Sequence, residues 1–221
     1  MSTMLNFEQA RFNMIEQQVR PWEVLDPAVL AAMTAVRRED FVPTRYRKLA
    51  FADVAIPLEE GEQMLKPVIE GRLLQALELS EDDEVLHIGT GSGFFAACLS
   101  RLARLVTSVE RHATLAQRAK SKIQAADIHN LSIVHADAFN GFSPAIRFDA
   151  IVATGAVHTL PEVFRQWLAP GGRILIVRGE SPVLETVLLT DVGSGLLREE
   201  SLFETDIPYL AGAEPPRRFS F

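Results

Sequence analysis

The chain has a single cysteine, Cys98, among its 221 residues, so it cannot close a disulfide within itself. A lone thiol fits a reducing compartment, and the cytoplasm is the expected location. No run of eighteen or more apolar residues exists, which leaves no candidate membrane span. The opening residues, Met1-Ser2-Thr3-Met4-Leu5-Asn6-Phe7-Glu8, lack the basic and then apolar stretches of a secretory signal. Positive charge is also in deficit. Lys and Arg number 22 against 29 Asp and Glu, a net charge of −7, which argues against a nucleic-acid partner. The one local basic cluster, Arg37, Arg38, Arg45, Arg47 and Lys48, reads as a solvated face balanced by Glu39 and Asp40. Tryptophan is scarce, and Trp22 and Trp167 read as packing residues. No repeat or low-complexity tract appears, and no metal site is expected.

What remains is an ordinary globular composition, 48% hydrophobic and 23% charged, long enough for one well-buried core. Residues 1–80 read as a helical cap. Phe7, Met14, Ile15 and Val19 form a helical stripe ended by Pro21, and Asp26-Pro27 reads as an N-cap with proline at the first helical position. Loops and short strands are expected between Phe41 and Gly61, and Pro67 opens a helix with Ile69, Leu73, Leu74 and Leu77 on one face. From residue 81 to 221 the rhythm becomes strand, turn, helix. Strands are expected at Val85–Ile88, Leu105–Val109, Leu131–Val134, Phe148–Val152 and Arg173–Val177, with helices between most of them. This alternation predicts an α/β fold with a doubly wound, mostly parallel sheet. Val183–Thr190 and Leu197–Phe203 flank Asp191-Val192-Gly193-Ser194-Gly195, the pattern of an antiparallel C-terminal hairpin that brings the sheet to seven strands.

The chemistry is expected at the carboxyl edge of that sheet. Gly89-Thr90-Gly91-Ser92-Gly93 ends the first strand, where glycines let the backbone turn sharply and approach a ligand. Glu110 ends the second strand and can accept both hydroxyls of a ribose, although an acid before a helix is also a common cap. Asp137, ending the third, can accept from an adenine amino group or simply form a turn. Arg111 and Ala138 adjoin these acids. The dehydrogenase pattern G-x-G-x-x-G would need glycine at 94, which is Phe94. G-x-G-x-G with a C-terminal antiparallel hairpin is instead the class I methyltransferase pattern.

Further stretches make the likeness more specific. Val29-Leu30-Ala31-Ala32-Met33, Arg38-Glu39-Asp40-Phe41-Val42-Pro43, Phe148-Asp149-Ala150-Ile151-Val152-Ala153-Thr154 and Leu168-Ala169-Pro170-Gly171-Gly172-Arg173 follow in order. With them the chain resembles the protein-L-isoaspartate O-methyltransferases across nearly its whole length, and R-E-x-F-V-P is the most diagnostic element. Arg11-Phe12-Asn13-Met14 with Gln18-Val19-Arg20 looks like a bacterial subgroup. The resemblance implies methyl transfer from S-adenosyl-L-methionine, leaving S-adenosyl-L-homocysteine, to the free carboxylate of an L-isoaspartyl residue in a protein or peptide. The ester then cyclises to a succinimide, whose hydrolysis returns some normal aspartate.

The chain departs from the family pattern in two places, one motif and one strand residue. The family motif G-Q-T-I-S-Q-P is here Gly61-Glu62-Gln63-Met64-Leu65-Lys66-Pro67, so Leu65 replaces a serine near the reacting carboxylate. Lys66 offers a charge next door, or is an exposed lysine at a helix start. His87 stands where methyltransferases carry an acid near the methionine end of the cofactor; it is either a cofactor contact or a satisfied core histidine. Met64, Leu65, Thr154 and His158 are the candidate substrate pocket, and no catalytic residue is named. A different acceptor, such as a small molecule, or a catalytically impaired cofactor-binding homologue stay open as alternatives.

Overall fold

The computed structural model describes residues 6–216; residues 1–5, most of the stretch read for a targeting signal, lie outside them. The cap begins with α1 (Phe7–Met14), capped by Asn6, whose side chain accepts from Gln9 N at 3.2 Å, and continues through wider and tighter turns to Trp22. α2 (Pro27–Ala35) starts as expected: Asp26 Oδ1 accepts from Ala28 N at 2.7 Å, satisfying a donor that the first turn leaves free. α3 (Arg38–Phe41), a 3-10 stretch (Thr44–Leu49) and the short antiparallel pair β1 (Ile56–Pro57) and β2 (Gln63–Met64) fill the predicted irregular region. Pro67 opens α4 (Pro67–Ala76).

The sheet comprises β3 (Glu84–Ile88), β4 (Leu105–Glu110), β5 (Leu131–His135), β6 (Phe148–Ala153), β7 (Leu168–Glu180), β8 (Val183–Asp191) and β9 (Leu197–Thr205). Their spatial order is β5-β4-β3-β6-β7-β8-β9. The first five strands pair in parallel, and β8 runs antiparallel to both β7 and β9. The chain therefore moves outward from β3 to β5 and returns to the other side of β3 with β6. This reversal creates a crevice at the carboxyl ends of β3 and its neighbours. Gly171-Gly172 lies within β7, which already pairs at Leu168, opposite Phe148, and shifts register before Arg173 meets Ala150.

Strand alternation sends Val85 and Val106 to one face and Leu86 and Ile88 to the other. The first face is covered by α2, α4, α5 (Phe94–Leu99) and α6 (Ala113–Ala125), in one continuous apolar cluster that includes cap residues such as Met14 and Met33. The second is covered by α7 (Glu162–Trp167) through Phe164 and Trp167.

Two readings of single residues change. Arg38 and Glu39 do not belong to a solvated face: both are buried, Arg38 against Glu70 and Glu39 against Arg11, while Arg37 and Arg47 pair with Asp40 at the surface. Burying charge is tolerable only with such partners. Trp22 is 59% exposed and is not a packing residue, whereas Trp167 and Cys98 are buried.

Candidate active site

The glycine loop leaves β3 with φ of +94° at Gly89 and +52° at Gly91, a region a side chain would strain. Gly93, at φ +89°, also serves packing, since a Cβ there would lie 3.2 Å from the Ala119 methyl. The loop is fastened by Glu110 at the end of β4. One carboxylate oxygen accepts from Gly91 N at 2.8 Å and the other from His112 N at 2.9 Å. Each oxygen keeps an unused lone pair, so the carboxylate can still accept from a ligand. Asp137 forms a turn through Phe139 N, 2.9 Å from its Oδ1, and also faces the same space.

That space is a cleft of about 890 Å³, its mouth included, at the carboxyl edge of the sheet. Gly89, Thr90, Gly91, Ser92, Glu110, Arg111, Asp137 and Ala138 all line it, as do Met64, Leu65 and Thr154. Four candidates do not: Gly93, which packs against Ala119, and His87, Lys66 and His158. His87 lies fully buried behind the wall, with Nδ1 2.9 Å from Ser108 Oγ and Nε2 2.9 Å from Thr154 Oγ1. Lys66 is exposed at the start of α4. His158 sits outside the cleft, its backbone N–H donating to Ala213 O at 2.7 Å.

Several wall residues escaped sequence reasoning. Glu70, on α4, lines the cleft beside Leu65 and is tied to Arg38, which also donates to Leu65 O at 2.7 Å and to Ala50 O at 2.9 Å. Burial pushes the Glu70 carboxyl up to about 7, against the pull of Arg38. The C-terminal segment Pro208-Tyr209-Leu210 closes one side, held by Ala156 N to Pro208 O and Leu210 N to Ala156 O, both 2.8 Å. It lies so close that a Cβ on Gly155 would meet Leu210 Cδ2 at 2.7 Å; that glycine was the available signal. Among the described residues no cluster of side chains could hold a metal ion, and no helix is long and apolar enough to cross a membrane.

The family model for protein-L-isoaspartate(D-aspartate) O-methyltransferase matches residues 9–191. The chain belongs to this family. Its relatives include the protein-L-isoaspartate O-methyltransferase 2 of Pelobacter propionicus, 37% identical over 96% of this chain and 95% of that one. The protein-L-isoaspartate O-methyltransferase 1 of Rhodopseudomonas palustris strain HaA2 is 36% identical over 95% and 86%. The fold matches a crystal structure assigned to the same family from Plasmodium falciparum, in complex with S-adenosyl-L-homocysteine, with a TM-score of 0.80 at 19% identity over 94% and 99% of the two chains. In this chain the reversal of strand order, the glycine loop and the carboxylate at the end of β4 converge on one cleft.

Proposed function

We propose that the protein is an S-adenosyl-L-methionine-dependent O-methyltransferase acting on the free carboxylate of L-isoaspartyl residues. The observation that carries this reading is the joint placement of the glycine loop, Glu110, Asp137 and Thr154 around one cleft in a member of this family. The residues present fit the cofactor. The bare backbone at Gly89 and Gly91 lets a ligand approach, Glu110 has acceptor capacity for ribose hydroxyls, and Asp137 has it for an adenine amino group. When bound, the cofactor supplies an electrophilic methyl group. An isoaspartyl carboxylate is already ionised at neutral pH, so the chain needs no general base to activate it. Its task is alignment and exclusion of water. Met64, Leu65 and Phe95 give the cleft an apolar wall suited to that task.

Leu65 in that wall also favours a second reading on the acceptor alone. With leucine in place of the family serine, no side-chain hydroxyl at 65 selects a peptide carboxylate, and a small-molecule acceptor is the alternative. Net charge of −7 argues for protein or small-molecule partners rather than nucleic acid, and the single thiol for a cytoplasmic location.

Calorimetry tests the cofactor site. S-adenosyl-L-methionine and S-adenosyl-L-homocysteine should both bind, and Glu110→Ala should weaken both about 10- to 100-fold, the worth of charge-assisted hydrogen bonds. Wild-type protein that binds neither compound contradicts the proposal.

A further inference from the structure

We propose that His87 is a positioning residue that fastens the glycine loop to both neighbouring strands through a one-way chain of hydrogen bonds, Thr90–Ser108–His87–Thr154–Gly89. The inference rests on reading the cleft as the cofactor site. β3 lies between β4 and β6, and the register sets His87 beside Ser108 on one side and Val152 on the other, with Thr154 two residues further on. Both hydroxyls thus reach the imidazole edge. Phe95 packs on the ring with centroids 5.2 Å apart, and no solvent reaches it.

The direction of each bond follows from one fixed acceptor. Thr154 Oγ1 lies 2.8 Å from the carbonyl oxygen of Gly89, which can only accept, so the Thr154 proton points there. Thr154 Oγ1 must then accept from His87, which places the ring proton on Nε2. Burial drives the imidazole pKa down to about 3, so the ring is neutral and its Nδ1 is bare. Ser108 therefore donates to Nδ1, and Thr90 donates to Ser108 across 2.6 Å. Every hydroxyl in the chain donates, and both ring nitrogens are used.

A neutral imidazole is suited to this place because it accepts on one edge and donates on the other. A carboxylate at position 87 could only accept, and would draw the Thr154 proton away from Gly89 O. His87 instead holds two consecutive loop residues, Gly89 by its carbonyl and Thr90 by its hydroxyl, and adds no charge behind the cleft. It acts through the loop and does not line the cleft itself.

Two measurements on the full chain test this. In ¹⁵N-histidine NMR of the wild type, with the His87 signal assigned by its loss in His87→Gln, the ring should show a single neutral form protonated at Nε2. A form protonated at Nδ1, or a mixture of the two, overturns the chain whatever any variant does. Ser108→Ala removes the donor to Nδ1 without touching the cleft lining. It should weaken S-adenosyl-L-methionine binding and raise its KM about tenfold, with kcat within about twofold, because it leaves the His87 Nδ1 acceptor and the Thr90 donor without their partner. A folded Ser108→Ala protein with wild-type affinity overturns the positioning role. Failure of the wild type to bind the cofactor would instead contradict the reading of the cleft, and the NMR result would stand separately.

Discussion

Replacing Arg38 with methionine removes three buried hydrogen bonds at one stroke. The guanidinium is fully buried and donates to Ala50 O, Leu65 O and Glu70. Methionine keeps an unbranched stem in the same space but offers no donor. Breaking a buried ion pair by removing one partner costs about 3–5 kcal/mol, because the other charge is stranded. Glu70 limits the loss by taking up a proton, which its raised pKa makes easy, while the two orphaned carbonyls add to it. The sum is about 4 kcal/mol, or roughly 10 °C in Tm for a domain of this size. Urea unfolding and calorimetry at pH 8 measure it. The double variant Arg38→Met/Glu70→Leu, which strands no charge, should recover at least ~2 kcal/mol of the loss. A single variant that loses less than ~1 kcal/mol, or a double variant no better than the single, refutes the reasoning.

Three further outcomes are expected. Glu70 has a folded-state pKa near 7 against an ordinary 4.5, so the folded protein binds the extra proton between those values and its stability falls as pH rises through that window. Glu70→Gln should lack this fall, so the wild type's advantage over it should shrink between pH 5 and pH 8; parallel pH–stability curves would contradict the sign. Gly155→Ala drives a methyl into Leu210 and should cost about 1–3 kcal/mol in urea unfolding while weakening cofactor binding, because the C-terminal wall must move. Leu65→Ser restores the family residue at a site 6% exposed; it should lower stability by about 2 kcal/mol yet raise kcat/KM on an isoaspartyl peptide in steady-state assays.

The order of elements along the chain was open to sequence reasoning because most of the parallel strands are short apolar runs ended by a turn, whereas their order in the sheet comes from the structure. Glu110 and the glycine loop were legible because they end such strands. Arg38 was not, since its partner Glu70 is 32 residues away and a run of charges ordinarily marks a solvated face. The Pro208–Leu210 wall has no periodicity, and its anchors are backbone bonds to Ala156 that no side chain announces. The surroundings of His87 lay halfway between: its position was evident, but the flanking Ser108 and Thr154 emerge only from strand register.

The central claim is tested most directly by methyl transfer from labelled S-adenosyl-L-methionine to two peptides of one sequence, one with L-isoaspartate and the other with L-aspartate at the same position. Label appearing as a base-labile ester on the isoaspartyl peptide, and not on its aspartyl twin, is the predicted result. Cofactor binding without label on either peptide would contradict the isoaspartyl assignment and leave the cleft serving another acceptor.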